Sequence, residues 1–407
     1  MLTFDEALEK ILKHVRRLLP VKLPIGKSLG FVLAEEIRAK EPIPLFDSSS
    51  VDGFAVRVQD ISGASEEHPV LLAMQSTVSA GLGRPQLLKP FHTIKIMTGA
   101  LLPQKTGAVV MKEFVKAKGD AIVFTSRIKE GAGLRRRGEE FSKGEIVFPK
   151  GTVVTPPVIG MCATLGFASV KVYQKPRVAL VITGNELRSL SARLRQGQIR
   201  DSNSYTLTAA LKSAGISLLL ILHAPDNKKQ ISKAFARALK KADVIISAGG
   251  ISVGDFDYVK QALNDLRVKT IFWRVAMKPG KPNYFGTRGK KLVFGLPGNP
   301  VSALVSLETL VMPALRKMMG IPFSEGLVYP AVIESDLKRS GGRIEFIRAF
   351  AFRSLDGQLT VRPAIGQGSH MVGGLAQANC LIVVPKENES ISKGDTVSIR
   401  FLSWNRM

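Results

Sequence analysis

Apolar and polar residues alternate in blocks over residues 177–319. Continuous apolar runs such as RVALVIT, ISLLLIL and DVIISAG are each followed by a segment with helical spacing, such as KQISKAFARALKKA after the second run and DYVKQALNDL after the third. Apolar runs of that length suit strands buried on both faces, and their alternation with helices predicts a doubly wound α/β domain with a largely parallel sheet. The run TIFWRVAM is predicted to lead into a turn, and KLVFG into a helix after Pro300.

The segments before this block have a different spacing. The first 45 residues predict a helix over Thr3–Leu19 and a second amphipathic helix near Leu29–Ala39, and Pro42 and Pro44 end the helical pattern. From Phe46 to Pro149 short β-branched runs are separated by glycines, which predicts a small β domain.

Two shorter features complete the pattern. Residues Pro156–Leu165 favour a short helix, and strands return after Gly320, with Asp356 and Gly357 at the turn of a hairpin. The predicted fold class is therefore α/β plus β, in a chain with several domains.

Length and composition narrow the class of protein. A chain of 407 residues is too long for one core, since domains hold roughly 100–200 residues, so two to four domains are expected. No apolar run approaches the roughly 20 residues of a membrane helix, and the acidic N-terminus opposes a signal peptide, so a cytoplasmic protein without a membrane partner is expected. Cys162 and Cys380 stand in apolar settings, which predicts buried core residues rather than a disulfide or a metal site.

The charge is strongly one-sided. There are 58 Lys and Arg against 33 Asp and Glu, a net charge of +25, which favours an anionic partner. Nucleic acid is disfavoured as the main ligand, because the basic residues are scattered, aromatic residues are only 7% and no helix-turn-helix, zinc-finger or RNP motif is present. An anionic small molecule is the favoured partner, and non-specific polyanion binding stays open as an alternative.

Loops rich in glycine, proline and charge follow the predicted strands. Ligands of open α/β sheets bind at the carboxyl ends of the strands. Glycines there let the backbone approach a ligand, while lysines and the amides of a helix start attract an anion. The loops are TGNE at 183–186, SAGGISVGDFD at 247–257, KPGKP at 278–282 and GLPGNP at 295–300. Together they predict a site for a phosphate or a similar oxyanion.

Carboxylates accompany these loops, namely Glu186, Asp201, Asp226, Asp255 and Asp257. Several carboxylates beside phosphate-binding groups would repel an anionic ligand unless a hard divalent cation lay between them, so Mg²⁺ is predicted. Asp201 and Asp226 also fit helix N-caps, because each precedes a predicted helix.

A second interpretation concerns GISVG at 250–254. It matches the G-x-S-x-G nucleophile elbow, with Ser252 as nucleophile and His370 downstream in the permitted order. His370 stands in the separate C-terminal region, and the loops around Ser252 are charged rather than suited to an acyl group. Esterase or amidase chemistry is therefore the weaker hypothesis.

Two stretches outside the α/β region also carry charge. In PLFDSSSVDGFAVR, Asp47 favours an Asx turn and Asp52 a tight turn with Gly53. In GLRRRGEEF, Arg135–Arg137 form either a solvated charge run or an anion site.

Taken in order, these motifs resemble the MoeA family, which also supplies the E domain of gephyrin. The resemblance covers essentially the whole chain, and it is carried by PLFDSSSVDGFAVR, IKIMTGALLP, LRRRGEEF, VITGNEL, GQIRDSNSYTL, SAGGISVGDFDY, FWRVAMKPGKP, GLPGNPVSA, GRIEFIRA and GQGSH.

The resemblance implies a molybdopterin molybdenumtransferase, which inserts molybdate into adenylylated molybdopterin with Mg²⁺ and releases AMP during molybdenum cofactor biosynthesis. It implies an elongated homodimer whose active cleft draws on both subunits, with a molybdopterin adenylyltransferase and molybdoenzyme acceptors as further partners. It also implies four domains: 1–45 with 144–175 for linking and dimerisation, 46–143 as a β-rich insert, 176–322 as a MogA-like, molybdopterin-binding α/β domain, and 323–407 as a C-terminal domain resembling a β-barrel.

Site residues follow motif by motif from the same resemblance. It implies catalytic roles for Asp52, Thr98, Glu140, Glu186, Asp226 and Asp257, substrate binding by Arg137, Ser252, Arg274, Lys278, Lys281, Pro297, Gly298, Pro300, Arg348 and Ser369, and a metal held by Asn185, Glu186 and Asp257. Within this set, Lys278, Lys281 and Arg274 are expected to neutralise the phosphate and the pterin anion, and Arg348 and Ser369 to contact molybdate or substrate.

The chain departs from the family pattern at a few positions. TGNE stands for the usual TGDE, so Asn185 removes one carboxylate, while Glu140 and Asp255 exchange one acid for the other. Asn185 supports the alternative of a catalytically decayed binding or scaffold protein. The α/β region by itself supports a third hypothesis, an adenylyltransferase.

Overall fold

A computed structural model of the chain describes residues 1–81, 84, 86–250, 258–321, 328–338, 341–355, 357–388 and 390–404. The chain divides into two compact units. The larger unit holds 1–34, 151–159 and 169–407, and the smaller unit holds 35–150 and 160–168.

The helices are short, and most lie in the larger unit. They are α1 Phe4–His14, α2 Pro156–Thr164, α3 Asn203–Ser213, α4 Lys228–Lys241, α5 Tyr258–Asp265, α6 Pro300–Ser306, α7 Met312–Met318 and α8 Val372–Ala376, with a π-helical segment at Leu307–Val311 and 3₁₀ turns at Ile25–Lys27, Val58–Ile61 and Lys112–Phe114.

Strands account for the rest of the regular structure. They are β1 Pro20–Pro24, β2 Ile37–Arg38, β3 Ser48–Ser49, β4 Gly53–Val56, β5 Val70–Val78, β6 His92–Ile96, β7 Ala108–Met111, β8 Val115–Lys118, β9 Ala121–Phe124, β10 Leu134–Arg135, β11 Ile146–Phe148, β12 Ser169–Tyr173, β13 Val178–Thr183, β14 Leu187–Arg188, β15 Ile199–Arg200, β16 Leu218–Ala224, β17 Val244–Ala248, β18 Lys269–Arg274, β19 Met277–Lys278, β20 Pro282–Arg288, β21 Lys291–Leu296, β22 Tyr329–Ile333, β23 Leu337–Lys338, β24 Ile344–Arg353, β25 Leu359–Pro363, β26 Cys380–Val384, β27 Ser390–Ile391 and β28 Thr396–Phe401.

The larger unit is built on a six-stranded sheet in the order β16-β13-β17-β21-β20-β18. The first four strands are mutually parallel, and β20 is antiparallel to both its neighbours. The predicted doubly wound, largely parallel sheet is therefore confirmed.

Burial on both faces explains why the strands of this sheet are apolar without alternation. In β13, Leu180 packs with α3, α6 and α7 on one face, while Val181 packs with α4 and α5 on the other. All of β13 and β17 is buried. Each fully buried aliphatic side chain contributes roughly 1.5–3 kcal/mol, so this double burial holds the unit together.

The C-terminal part of the larger unit forms a closed barrel. Its strands follow the order β24-β25-β22-β28-β26, and β26 pairs back with β24. The predicted hairpin is confirmed by the antiparallel pairing of Arg353 with Leu359; Asp356 lies outside the described residues. Cys380 is a buried barrel residue, and desolvation raises the pKa of its thiol to about 12, while Cys162 is buried as well.

The smaller unit is built on a second six-stranded sheet, in the order β7-β4-β6-β5-β9-β8. The sheet is mixed, since β5 and β6 run parallel while the other neighbouring pairs are antiparallel. The β-rich character predicted from Phe46 to Pro149 is confirmed.

Three local predictions were wrong or inexact. The helix predicted near Leu29–Ala39 is absent from the structure, because Gly30 has a φ of +72° and the following apolar residues pair with other strands, as Leu33 does with Val172. The N-terminal helix ends at His14 rather than Leu19, since the chain turns away to bond Leu18 N–H to the carbonyl of Met318 at 2.9 Å.

The third error is an omission: the turn predicted after TIFWRVAM is present at 279–281, but strand β20, which follows it, was not predicted. Its sequence PNYFGTR contains proline, asparagine and glycine, which weaken a strand pattern. A Cβ added at Gly286 would lie 2.3 Å from the hydroxyl of Tyr284 and 2.9 Å from the carbonyl oxygen of Lys269 on β18. The Tyr284 side chain and the neighbouring backbone therefore favour glycine at this position.

None of the helices in the described ranges has both the length and the hydropathy needed to cross a membrane.

The β4 strand yields a stability prediction. A Cβ added at Gly53 would lie 2.1 Å from the carbonyl oxygen of Val110 on β7, so Gly53→Ala must separate β4 from the edge strand β7. We expect a loss of about 1–3 kcal/mol in the free energy of unfolding, measured by urea denaturation. Gly63→Ala, where an added Cβ meets nothing within 4 Å, is the matched control. Equal stability of the two variants would contradict the packing argument.

Candidate functional site

The topology of the larger unit brings the charged loops to one edge of the sheet. Strands β16, β13, β17 and β21 are adjacent and parallel, so their carboxyl ends lie side by side. The loops that follow begin with PDN at 225–227, GNE at 184–186, GG at 249–250 and PGNP at 297–300. The segment 274–282 meets the same edge, because β18 ends there and β20 begins there.

Asn185 and Asp226 tie two of these loops together. The backbone N–H of Asn185 donates to Asp226 Oδ2 at 3.2 Å, and the N–H of Asp226 donates to Asn185 Oδ1 at 3.0 Å. The N-cap of α4 is Asn227, whose Oδ1 accepts from Lys229 and Gln230, so the N-cap interpretation of Asp226 was wrong.

Glu186 is exposed on the 184–186 loop, which follows β13. Gly184 has a φ of +152°, and a Cβ added there would lie 2.8 Å from both carboxylate oxygens of Glu186. Glycine at this position therefore lets the carboxylate fold over its own loop.

A cleft of about 550 Å³ opens beside this loop, and Asp201 and His223 line it. Asp201 is 5% exposed; its Oδ1 accepts the N–H of Ser204 at 3.0 Å, and its Oδ2 pairs with His223 Nε2 at 2.9 Å. Burial opposes ionisation of Asp201, but the hydrogen bonds from Ser204 and His223 outweigh it and hold its pKa below the ordinary value. The N-cap of α3 is therefore Ser202 rather than the predicted Asp201. Asp201, one residue earlier, accepts a hydrogen bond from the first turn of the helix.

The GLPGNP loop is fixed by contacts from two other segments. Asn203 Nδ2 donates to the carbonyl of Gly298 at 2.7 Å, and Asn299 Nδ2 donates to Ser369 Oγ at 2.8 Å. The N–H of Val301 donates to the carbonyl of Ser369 at 3.2 Å, so this amide of the α6 start is engaged within the chain rather than open to an anion. Pro297 is buried and Pro300 occupies the first turn of α6.

The 274–282 segment presents three exposed cations, of which Lys278 is paired. Lys278 Nζ lies 3.2 Å from Oε1 of Glu345, a buried carboxylate on β24. Lys281 and Arg274 are exposed. Gly280 has a φ of +104°, and a Cβ there would lie 2.7 Å from Ser306 Oγ, so the loop packs tightly against α6.

Arg348 lies inside the fold and is 1% exposed. Its Nη2 donates to the carbonyls of Gly366 at 2.6 Å and Gly368 at 3.3 Å, and burial lowers its pKa. Arg348 therefore holds the GQGSH loop that carries Ser369.

Two sequence-predicted sites lie in the smaller unit. Asp52 Oδ1 accepts the N–H of Thr98 at 2.8 Å and its hydroxyl at 2.9 Å, and these bonds lower the pKa of Asp52. Arg137 and Glu140 are exposed.

The Asx-turn interpretation of Asp47 was wrong. One carboxylate oxygen accepts from Arg136 Nη1 at 3.0 Å and the other from the N–H of Arg137 at 2.8 Å. Part of the arginine cluster is thus neutralised within the chain.

Ser252, Asp255 and Asp257 lie outside the described residues, and so does the core of the GISVG motif. Within the described ranges, no group of three His, Cys, Asp or Glu residues is arranged to hold a metal ion.

Family models match almost the whole chain. Residues 2–166 match the MoeA N-terminal region (domain I and II), residues 179–317 a probable molybdopterin binding domain, and residues 330–402 the MoeA C-terminal region (domain IV). A protein of Haemophilus influenzae named molybdopterin molybdenumtransferase is 35% identical over 98% of both chains. A Mycobacterium tuberculosis protein named molybdopterin molybdenumtransferase 2 is 33% identical over 98% of this chain and 99% of its own.

The chain belongs to the MoeA family. The fold agrees with this, since the crystal structure of a molybdopterin biosynthesis moeA protein from Pyrococcus horikoshii OT3 matches 98% of this chain and 100% of its own with a TM-score of 0.84 at 29% identity. The expected multidomain MoeA architecture is confirmed. The expected role of the protein in molybdenum cofactor biosynthesis is confirmed as well.

Sequence reasoning missed several polar residues of this MoeA protein. Thr183 Oγ1, Ser247 Oγ and Asn203 Oδ1 are buried and find no hydrogen-bond partner among the described residues. A buried polar atom without a partner is costly, so these atoms mark the strand ends as a place where a ligand or water belongs. Their position beside TGNE, SAGG and DSN was the available signal.

The Asp201 environment gives a pH-dependent prediction. Because its folded-state pKa is depressed, its ionised form adds stability that is present above the unfolded value of about 3.9 and lost as pH falls through the folded value. Asp201→Asn should therefore be less stable than the natural protein at pH 7, with the difference shrinking below about pH 4. Urea midpoints at pH 7 and pH 3.5 measure this, and a constant difference would contradict it.

The hydrogen bond that His223 makes to Asp201 through Nε2 can be tested by substitution. Glutamine can place its amide nitrogen near the Nε2 position of histidine, whereas the shorter asparagine cannot. We expect His223→Gln to keep the bond to Asp201 and His223→Asn to lose about 1 kcal/mol in the free energy of unfolding. Equal losses in the two variants would show that the bond itself adds nothing.

Proposed function

We propose that this MoeA protein is a molybdopterin molybdenumtransferase that inserts molybdate into adenylylated molybdopterin and releases AMP. The observation that carries the proposal is the 35% identity over 98% of both chains with a protein of that name. The retention of TGNE, KPGKP, GLPGNP and GQGSH at one sheet edge and its neighbouring barrel loop supports it.

The cations of the 274–282 segment would bind the anionic substrate. Arg274 and Lys281 are exposed and can reach a phosphate or the pterin anion. Lys278 is held by Glu345, so its ammonium group is fixed in place before a substrate arrives.

The acidic loops suit Mg²⁺. Glu186, Asp226 and Asn185 offer only hard oxygen donors, which magnesium prefers, and the exposed Glu186 carboxylate lies beside the loop that Asp226 anchors. Glu186 and Asp226 would hold the ion together with Asp257, and when bound it would neutralise charge on the phosphate groups. Asn185 Oδ1 already accepts the N–H of Asp226, so its main task would be to join the two loops.

Ser369 would contact molybdate, and Arg348 would act through the loop. The hydroxyl of Ser369 is oriented by Asn299, while the guanidinium of Arg348 is buried against loop carbonyls. Arg348 is therefore proposed as a positioning residue rather than a direct ligand. Pro297, Gly298 and Pro300 would shape the same wall of the site, with Ser252 as a further anion-binding residue.

Within the smaller unit, roles in the reaction are proposed for Asp52, Thr98, Arg137 and Glu140. Asp52 is held ionised by Thr98, which suits a carboxylate that must keep one orientation during the reaction.

The proposal includes a homodimer, which light scattering of the purified protein would measure, and a cytoplasmic location. A molybdopterin adenylyltransferase would be the supplier of substrate, and molybdoenzymes the acceptors of the product.

The contact that Asn185 makes removes the main argument for the alternative, a catalytically decayed scaffold protein. An aspartate oxygen at this position could accept the same N–H that Asn185 Oδ1 accepts, so asparagine keeps the loop joined. The adenylyltransferase alternative does not account for the matched segments at 2–166 and 330–402.

The test is AMP release from adenylylated molybdopterin with and without molybdate and Mg²⁺. We expect release that needs both, a loss of about 100-fold in kcat for Glu186→Gln, and a raised KM for Lys278→Met. Lys290→Met, at an exposed turn, is the matched control and should behave as the natural protein. Asn185→Asp should stay within a few-fold.

Two results would overturn the proposal. Release of AMP that is independent of molybdate would indicate simple hydrolysis of the adenylylated molybdopterin. No release from the natural chain, with activity appearing in Asn185→Asp, would indicate a MoeA protein that lost its chemistry.

A further inference from the structure

Helix α4 carries a concentration of positive charge that the proposed chemistry does not use. Its sequence KKQISKAFARALKK has six cations and no acid, and all six are exposed. Within the described part of the chain, Lys228 is the member with an ion pair, at 3.0 Å from Asp265. The buried side of the helix is the apolar stripe that packs on the sheet, including Ile231, Phe235 and Leu239.

The outward cations form one stripe. Lys229, Lys233, Arg237 and Lys240 follow one another at helical spacings of three or four residues, so they share a face. At about 1.5 Å per residue the stripe is about 16 Å long. We call Lys229, Lys233, Arg237 and Lys240 the α4 basic stripe.

This arrangement opposes the local stability of the helix. Lys228 and Lys229 occupy the first turn, where the positive end of the helix dipole repels cations. Like charges four residues apart, as in Lys229 with Lys233 and Lys233 with Arg237, also destabilise a helix.

Helix α1 of the same chain differs from α4 in its first turn, which is acidic, while both helices have cations in the last turn. It has Asp5 and Glu6 in its first turn and Lys13 and His14 in its last. In α4 the Asn227 cap and the Lys228–Asp265 ion pair compensate only part of this cost, since Lys229 has no ion pair in the described chain. A sequence that breaks a local rule points to a function for the side chains concerned.

The shape of the surface indicates the kind of partner. Ser232 and Ala236 lie between the cations on the solvent side of α4, and a concavity of about 630 Å³ at this end of the helix is lined by them together with Asp226, Lys229, Lys233 and Tyr258. Small side chains let a second helix approach closely, while the flanking cations suit carboxylates repeated every four residues. Among the described lining residues Tyr258 is the one aromatic side chain, so successive bases would find no row of rings on which to stack, which disfavours single-stranded nucleic acid.

We propose that the α4 basic stripe is a docking surface for an acidic helix of a partner protein. Asp226 lines the concavity and is bonded to Asn185, so the partner would sit against a loop of the candidate site. The inference stands on the surface alone and does not depend on the proposed activity.

The experiment uses the full-length protein and a labelled helical peptide with glutamate at every fourth position. A peptide of the same composition with its glutamates in one block is the control for register. We expect the spaced peptide to bind at least fivefold more tightly than the block peptide at 50 mM salt, by fluorescence anisotropy. Equal affinities would show a non-specific polyanion surface and overturn the proposal.

Location is tested by charge reversal. Lys229→Glu with Lys233→Glu should weaken binding of the spaced peptide about tenfold or more, and should create binding of the matching lysine peptide. The reversal places acids near the N-terminus of α4, which favours the helix, so loss of folding does not explain the loss of binding. Lys269→Glu with Lys290→Glu, an equal charge change on exposed residues of the same unit, is the control and should bind as the natural protein.

Other anions complete the test. If oligo-dT or inorganic phosphate binds the natural protein more tightly than the spaced peptide and loses binding in the same double variant, the stripe serves nucleic acid or a small anion and the proposal fails. If the control double variant loses peptide binding as much as the stripe variant, the site lies elsewhere and the proposal also fails.

Discussion

Burial of one parallel sheet on both faces is the constraint on which the rest of the larger unit depends. β13 and β17 place every residue in the interior, with one set of side chains against α3, α6 and α7 and the other against α4 and α5. A strand covered on both sides can expose polar groups only at its ends. The polar and flexible residues of this region are therefore gathered at the carboxyl edge, and the candidate site forms there as a consequence of the core.

The loops at that edge are joined to one another rather than left free. Asn185 bonds to Asp226, Asn203 bonds to Gly298, and Asn299 bonds to Ser369. Asparagine suits this task because its amide can donate and accept without adding a charge to a site meant for anions. Cross-links of this kind reduce the entropy that the loops would lose on binding a ligand.

Some charged side chains near this edge are also bonded to partners within the chain. Two carboxylates near the edge are engaged by neutral donors or by cations, since Asp201 is bonded to Ser204 and His223 and Glu345 is paired with Lys278, and this reduces their repulsion of an anionic ligand. The α4 basic stripe is the contrasting case, in which cations have been left without partners in the described chain at a cost to the helix.

The sequence alone determined the elements whose pattern has one physical solution. Continuous apolar runs as short as those in RVALVIT and DVIISAG are typical of strands buried on both faces, and the glycine-rich loops after them meet at one edge once the strands are parallel. The ordered motifs likewise indicated the MoeA family. Strand β20 was not predicted from the sequence, because its conformation depends on the strands on both sides of it and not on its own composition.

Only the tertiary structure decided what individual side chains contact. It placed the charge of Arg348 inside the fold, joined Asn185 to a residue 41 positions away, and engaged Asp47 with arginines about 90 positions away. Such partners are set by the packing of distant segments, and no local periodicity encodes the distance between two loops. The sequence therefore determines which chemistry is available at the edge, and the packing of the sheet determines which atoms remain free to perform it.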